Sequence, residues 1–221
     1  ERYRPEGLDG TIKDIAKFQF VKVDQQSHEI SIKPGEWDMD KSLIIPPQYK
    51  FKVSAGTKIN LKNNAFILSY SPLEFLGTKE NHILIRSDDN SGQGLVVLRA
   101  GETSKIEHTH FEGLRSADKD GWKMTGAVTF YESPLEMSHS EISNNESEDA
   151  LNIVRSSFSV RDSVFSGAFS DSIDIDFGEG VIENSKFEHS GNDAIDVSGT
   201  KIGLKNIEIS FAGDKGISAG E

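Results

Sequence analysis

The sequence predicts an all-β solenoid: a stack of short coils behind a brief N-terminal cap. Three observations predict it. Positions recur at a nearly fixed step, with Asp149, Asp171 and Asp193 standing 22 apart and Asp214 following 21 later, while Ile142, Phe165, Phe187 and Ile209 step by 23, 22 and 22. Within a repeat, apolar and polar residues alternate, as around Ile173 and Ile175 or Ile195 and Val197, which is the period of a strand and not of a helix. The 20 glycines and the frequent Asn, Asp and Ser suit a chain made largely of turns. A unit this short cannot bury its own apolar face, so stacking on its neighbours does so instead. Leucine-rich repeats need a Leu-rich consensus and helical repeats need longer units, which leaves short strands and turns arranged as one coil of a parallel β-helix.

The chain divides into residues 1–48, a cap and first strands, and residues 49–221, the coils of one elongated domain. Glu1 to Gly10 is polar and is expected to be loosely held. Ile12, Ile15 and Ala16 then fall at helical spacing behind caps at Asp9 or Thr11, so a short helix or turn is expected to cover the first rung. Such a lid would shield unpaired backbone from other chains. Phe18 to Val23 and Glu29 to Lys33 alternate as strands. Pro34-Gly35-Glu36-Trp37 and Ile45-Pro46-Pro47 read as turns, with Trp37 packing into the cap. Tyr49 to Ser54, Thr57 to Leu61, Ala65 to Ser69, Leu73 to Leu76 and His82 to Arg86 follow as early, less regular strands. Ser87 to Gly94 reads as a solvated turn, since it lacks the spacing of a Ca²⁺ loop. Between Phe111 and Ile142 the step stretches to 31, which places an insertion in Gly113 to Gly126. Trp122 there either tucks the loop down or walls a groove.

Strands in such a stack lie about 4.8 Å apart, so each aligned column becomes a ladder of touching side chains. Ile106, Met137, Val160, Ile182 and Leu204 make one inward ladder, and Phe111, Ile142, Phe165, Phe187 and Ile209 a second. Thr109, Ser140, Ser163 and Ser185 align hydroxyls that pass hydrogen bonds between rungs until Ile207 ends the run. His108, His139, Asp162, Asn184 and Asn206 form the next column. Its two histidines could pair on a metal; with no third ligand evident they read as a turn ladder.

Chemistry is expected on the outer face of one strand. With Ile173 and Ile175 pointing inward, Asp174 and Asp176 point out together, Asp196 falls under Asp174 one rung later, and Asn152 one rung earlier. Strand geometry puts Asp174 roughly 5 Å from Asp196, and Asp176 roughly 8 Å from it. The second separation lies in the range of inverting glycosidases. Carboxylates this close cannot all stay ionised unassisted, so one pKa rises, as a general acid requires, or a cation intervenes. A Ca²⁺ ion on Asp174 and Asp196 would serve, and a lyase would need a cationic base, for which Arg155 and Lys215 are the candidates. Asn152, Trp122, Arg155 and Lys215 complete the expected substrate-binding set. Asp149, Asp171, Asp193 and Asp214, just before each strand, read as turn-forming carboxylates.

The net charge of −12 and the absence of Lys and Arg clusters exclude nucleic acid as a partner. No apolar window is long enough to span a membrane, and the lack of Cys removes disulfides and thiolate metal sites. The chain opens on Glu1, which is expected of a mature or a trimmed form.

Asn-Asp-Ala-Ile-Asp at 192–196, with the repeat around it, resembles the motif of the right-handed parallel β-helix superfamily, the pectate-lyase-like proteins, over Lys50 to Glu221. The resemblance implies a secreted, periplasmic or cell-surface protein directed at a polysaccharide, as hydrolase, lyase or epimerase. That superfamily's Gly-His-Gly turn followed by Arg-x-Lys is absent, so no single enzyme family is matched. The alternative expectation is an assembly module without chemistry, because the last coil stops in full repeat and could pair with further coils or another copy.

Overall fold

The computed structural model describes residues 7–220 and is a parallel β-helix built from three long sheets of nine, eight and eight strands. Each coil contributes one strand to each sheet. In the most regular coil these are Ser157–Arg161, Val164–Ser166 and Asp171–Asp176. Every neighbouring pair in the three long sheets is parallel except the first, where Val21–Asp24 folds back antiparallel on Glu29–Ile32. The parallel stack begins with Glu29–Ile32 on Lys50–Ser54, inside the segment read from sequence as cap and first strands.

The two inward ladders stack in the expected register. Ile106, Met137, Val160, Ile182 and Leu204 are successive partners in the first sheet. Phe111, Ile142, Phe165, Phe187 and Ile209 are successive partners in the second. The rings of Phe165 and Phe187 lie 5.0 Å apart and within 4° of parallel, a stack that adds to the burial of each ring. The hydroxyl ladder forms as well: the backbone N–H groups of Thr109, Ser140 and Ser163 each donate to the Oγ one coil on, at Ser140, Ser163 and Ser185. A second such ladder, in which Ala100 N–H donates to Ser133 Oγ and Ser133 N–H to Ser156 Oγ, was not anticipated.

Each regular coil turns three corners, and at each corner one residue takes a left-handed conformation. Between the first and second sheets these are His108, His139, Asp162, Asn184 and Asn206, with φ from 44° to 51°. Asn144, Gly167, His189 and Phe211 turn the next corner, and Glu132, Arg155, Phe177 and Gly199 the third. Left-handed geometry costs a non-glycine residue about 1 kcal/mol. It persists because it aims the corner N–H at the next coil: Arg155 donates to Asp176 O and His139 to Arg161 O.

At the N-terminal end the cap is a single turn, Ile12–Ile15, with Thr11 as N-cap accepting from Asp14 N–H. Ile15 is buried, and Phe20 stacks on Trp37 at 5.5 Å. Glu36 and Trp37 belong to a strand, Glu36–Met39, paired with Lys58–Leu61, so the turn read there is confined to Pro34-Gly35. Residues 1–6 of the stretch expected to be loose lie outside the described residues. Leu8 in the same stretch is buried against Phe66, Leu68 and Val96, on the outer face of the third sheet. The insertion is a hairpin, Asp118–Lys119 against Trp122–Lys123, turning on Asp120-Gly121 with φ of 51° and 83°. Positive φ at both turn residues matches the twist of a tight two-residue hairpin. At the other end, Ile202, Leu204, Ile207, Ile209 and Ala212 are only partly buried and Ile217 is 50% exposed.

Candidate functional site

The outer face of the third sheet changes character along the stack. Its strands include Leu95–Leu98, Gly126–Tyr131, Asp149–Val154, Asp171–Asp176, Ile195–Ser198 and Ile217–Gly220. Inward positions Leu151, Ile173 and Ile195, then Ile153, Ile175 and Val197, are buried throughout. The outward column runs Leu68, Val96, Thr129, Asn152, Asp174, Asp196, Ser218. The column beside it runs Leu98, Tyr131, Val154, Asp176, Ser198, Gly220.

Asn152, Asp174, Asp176 and Asp196 are thus brought together on one face, as the period-two reading expects. Asn152 Nδ2 donates to Asp174 Oδ2 at 3.0 Å. Burial pushes the Asp174 carboxyl up to about 7, and the negative charges of Asp176, Asp196 and Asp171 push the same way, against the Asn152 hydrogen bond. Asp174 therefore holds its proton far more tightly than a free aspartate does.

Asp149 joins this group in a way the sequence did not disclose. Asp171 Oδ1 accepts from Asp193 N–H and Asn192 Nδ2, and Asp193 Oδ1 accepts from Lys215 N–H, each at 2.8 Å. These two carboxylates shape the turn, as expected. Asp149 stands in the same column, yet the N–H of Asp171 is taken by the Glu148 carbonyl. The Asp149 carboxyl is left with the Thr125 hydroxyl, and its Oδ2 is buried without a partner among the described residues. Burial first, then the charges of Asp174, Glu148 and Asp171, push it up to about 8. The fourth member of the column is Lys215 and not Asp214: Ile195 pairs with Ile217, which sets Asp193 beside Lys215.

The other expected residues sit at the margins. Lys215 pairs with Asp214 and lies 3.8 Å from Asp193 Oδ2. Arg155 turns a corner, with its guanidinium on Tyr131 Oη at 3.1 Å and 5.6 Å over the Phe177 ring. Trp122 packs on Phe66 at 6.0 Å and roofs the apolar half of the face. The hairpin does wall a cleft of about 510 Å³ beside Asp149, through Lys123 and Thr125; Arg115, Glu148 and Phe169 complete it. Phe169 is 73% exposed, an aromatic surface that the repeat pattern gave no reason to single out.

Ca²⁺ takes six to eight oxygen ligands, and among the described residues no three His, Asp or Glu side chains form a ready-made metal group. Asn152, Asp174, Asp176 and Asp196 on the acidic face would supply only part of such a shell. No helix among the described residues is long and apolar enough to cross a membrane.

The fold and this face define a class, a parallel β-solenoid with a carboxylate cluster on one sheet. The chain matches no protein-family model, no curated protein and no solved structure.

Proposed function

We propose that this β-helix is a carbohydrate-directed protein of the pectate-lyase-like type that hydrolyses a polysaccharide laid along the acidic face of its third sheet. The observation that carries the reading is the Asp174 carboxyl, raised to about 7 beside Asp196 and Asp176 on an open strand surface. Asp174 is the general acid that protonates the leaving oxygen, and a neighbouring carboxylate activates water or attacks the sugar. Hydrolysis is favoured over elimination because both cations read as bases are engaged, Arg155 by Tyr131 and Phe177 and Lys215 by Asp214. The adjoining cleft offers exposed Phe169 as a stacking surface for a sugar ring. A secreted or cell-surface setting goes with this reading.

The test is reducing-sugar release across a panel of neutral and acidic polysaccharides. The double variant Asp174→Asn, Asp196→Asn is expected to lose turnover while its Tm is unchanged or higher. Full activity in that variant, or neither turnover nor binding by the parent protein on any member of the panel, ends the reading.

The half-exposed apolar residues of the last coil favour a second reading, in which that end pairs with further β-structure or another copy. Light scattering that gives a monomer at high concentration would count against pairing between copies.

A further inference from the structure

Four of the six histidines meet on one corner of the solenoid, between the first and second sheets. Thr109 pairs with Ile83, so His108 falls beside His82, and the N–H of His108 reaches Ser138 O, so His139 falls beside His108. His110 lies two residues on, along the strand Thr109–Glu112. The rings form a continuous run: His110 to His82 at 4.3 Å, His82 to His108 at 6.2 Å, and His108 to His139 at 4.9 Å.

Turn geometry does not account for these imidazoles. The left-handed corner is filled equally well by Asp162, Asn184 and Asn206 in the same column, and neither His82 nor His110 has positive φ. No ring nitrogen of the four makes a hydrogen bond to another described residue, whereas the neighbouring Asn184 and Asn206 amides are hydrogen-bonded along their ladder. A cluster of free imidazole nitrogens is a borderline-soft donor set, suited to Zn²⁺, Cu²⁺ or Ni²⁺ rather than Ca²⁺. Carboxylates flank it: Glu141 is the strand partner of His110, and Asp162 follows His139 in the column. Such groups orient ligating histidines through the second ring nitrogen.

We propose that His82, His108 and His110, supported by His139, form a binding site for one divalent transition-metal ion of the Zn²⁺ class. In the structure the rings stack face to face and no three of their nitrogens yet converge. Three protein nitrogens and a water complete a tetrahedral Zn²⁺ shell, and rotation of imidazoles on a backbone already pinned by the sheet brings them together. The site is separate from the acidic face, which belongs to the third sheet.

Isothermal titration of the full chain with Zn²⁺ near neutral pH tests this, with Co²⁺ absorption as a second readout of nitrogen ligation. One ion per chain is expected. His82→Asn and His108→Asn, the second at a left-handed corner of the kind Asn184 already fills, should each weaken binding by at least about 10-fold. His28→Ala, His189→Ala and Asp174→Asn should leave it unchanged. Circular dichroism confirms that each variant is folded. Zn²⁺ binding that survives His82→Asn and His108→Asn, that is lost in Asp174→Asn, or that is absent from the parent chain overturns the proposal.

Discussion

The upstream and downstream halves of the third sheet's outer face share one backbone and one register, yet only one is covered. Upstream, Leu68, Val96 and Leu98 lie beneath Leu8, Ala117, Trp122 and Met124. Downstream, Asn152, Asp174, Asp176 and Asp196 stand in the continuing columns with no such roof. The inward side of both halves is the same aliphatic ladder. In this architecture the core specifies the fold and the outward columns specify what the surface does, and the two can change independently.

That contrast can be broken most sharply by exchanging its chemistry. Val96→Asp would bury an unpaired carboxylate under the hairpin and is expected to cost about 4 kcal/mol or more, read as a large loss in denaturant midpoint. An aspartate in the same column two rungs past Thr129, at Asp174, is already part of the native fold.

A smaller effect lies in the pH dependence. Asp149 and Asp174 have folded pKa values of about 8 and about 7, above the 3.8 of a free aspartate. Below pH 3.8 both are protonated folded or unfolded, and they exert no penalty. As pH rises, the unfolded chain loses these protons first, so the stability they allow drains away between about pH 4 and pH 8. Asp149→Asn should therefore stabilise the protein at pH 8 by on the order of a few kcal/mol and have little effect at pH 4. Thermal melts of parent and variant across that range check this, and parallel curves at all pH values would contradict it.

The smallest expected effect belongs to Asp196→Asn. Removing one negative charge from the open half should alter stability by no more than about 0.5 kcal/mol. It should also lower the Asp174 pKa from about 7, because the Asp196 charge helps to raise it. Carbon-detected NMR titration of the Asp174 carboxyl gives the direction.

How far the sequence discloses all this depends on how regular the coils are. From Leu135 onward every coil is 22 or 23 residues, so simple spacing places Asp174 beside Asp196 and Phe165 on Phe187. The early coils vary in length, and the strands Leu43–Ile45 and Leu95–Leu98 escape a fixed-period search. His82 joins the His108 column at a step of 26 for the same reason, and His110 is a strand residue that no column alignment marks. The stretched step locates the insertion at Gly113 to Gly126 but not the hairpin it forms on Asp120-Gly121, and the apolar face this hairpin covers becomes visible only when Phe66, Leu68 and Val96 are stacked. The isolation of Asp149 could not be read at all, because it depends on the Glu148 carbonyl taking one N–H.

The serine ladder has a consequence for how such a chain can change length. The N–H groups of Ser140 and Ser163 each donate to the serine hydroxyl one coil on, at the same position. Excising one whole coil would set Ser140 against Ser185, Met137 against Ile182 and Ile142 against Phe187, so most interior neighbours are replaced in kind, with Gly180 in place of Phe158 against Leu135 as the exception. The molecule can therefore grow or shrink by entire windings while its cross-section stays constant, and each winding lost from the downstream half would remove one row of its acidic charge.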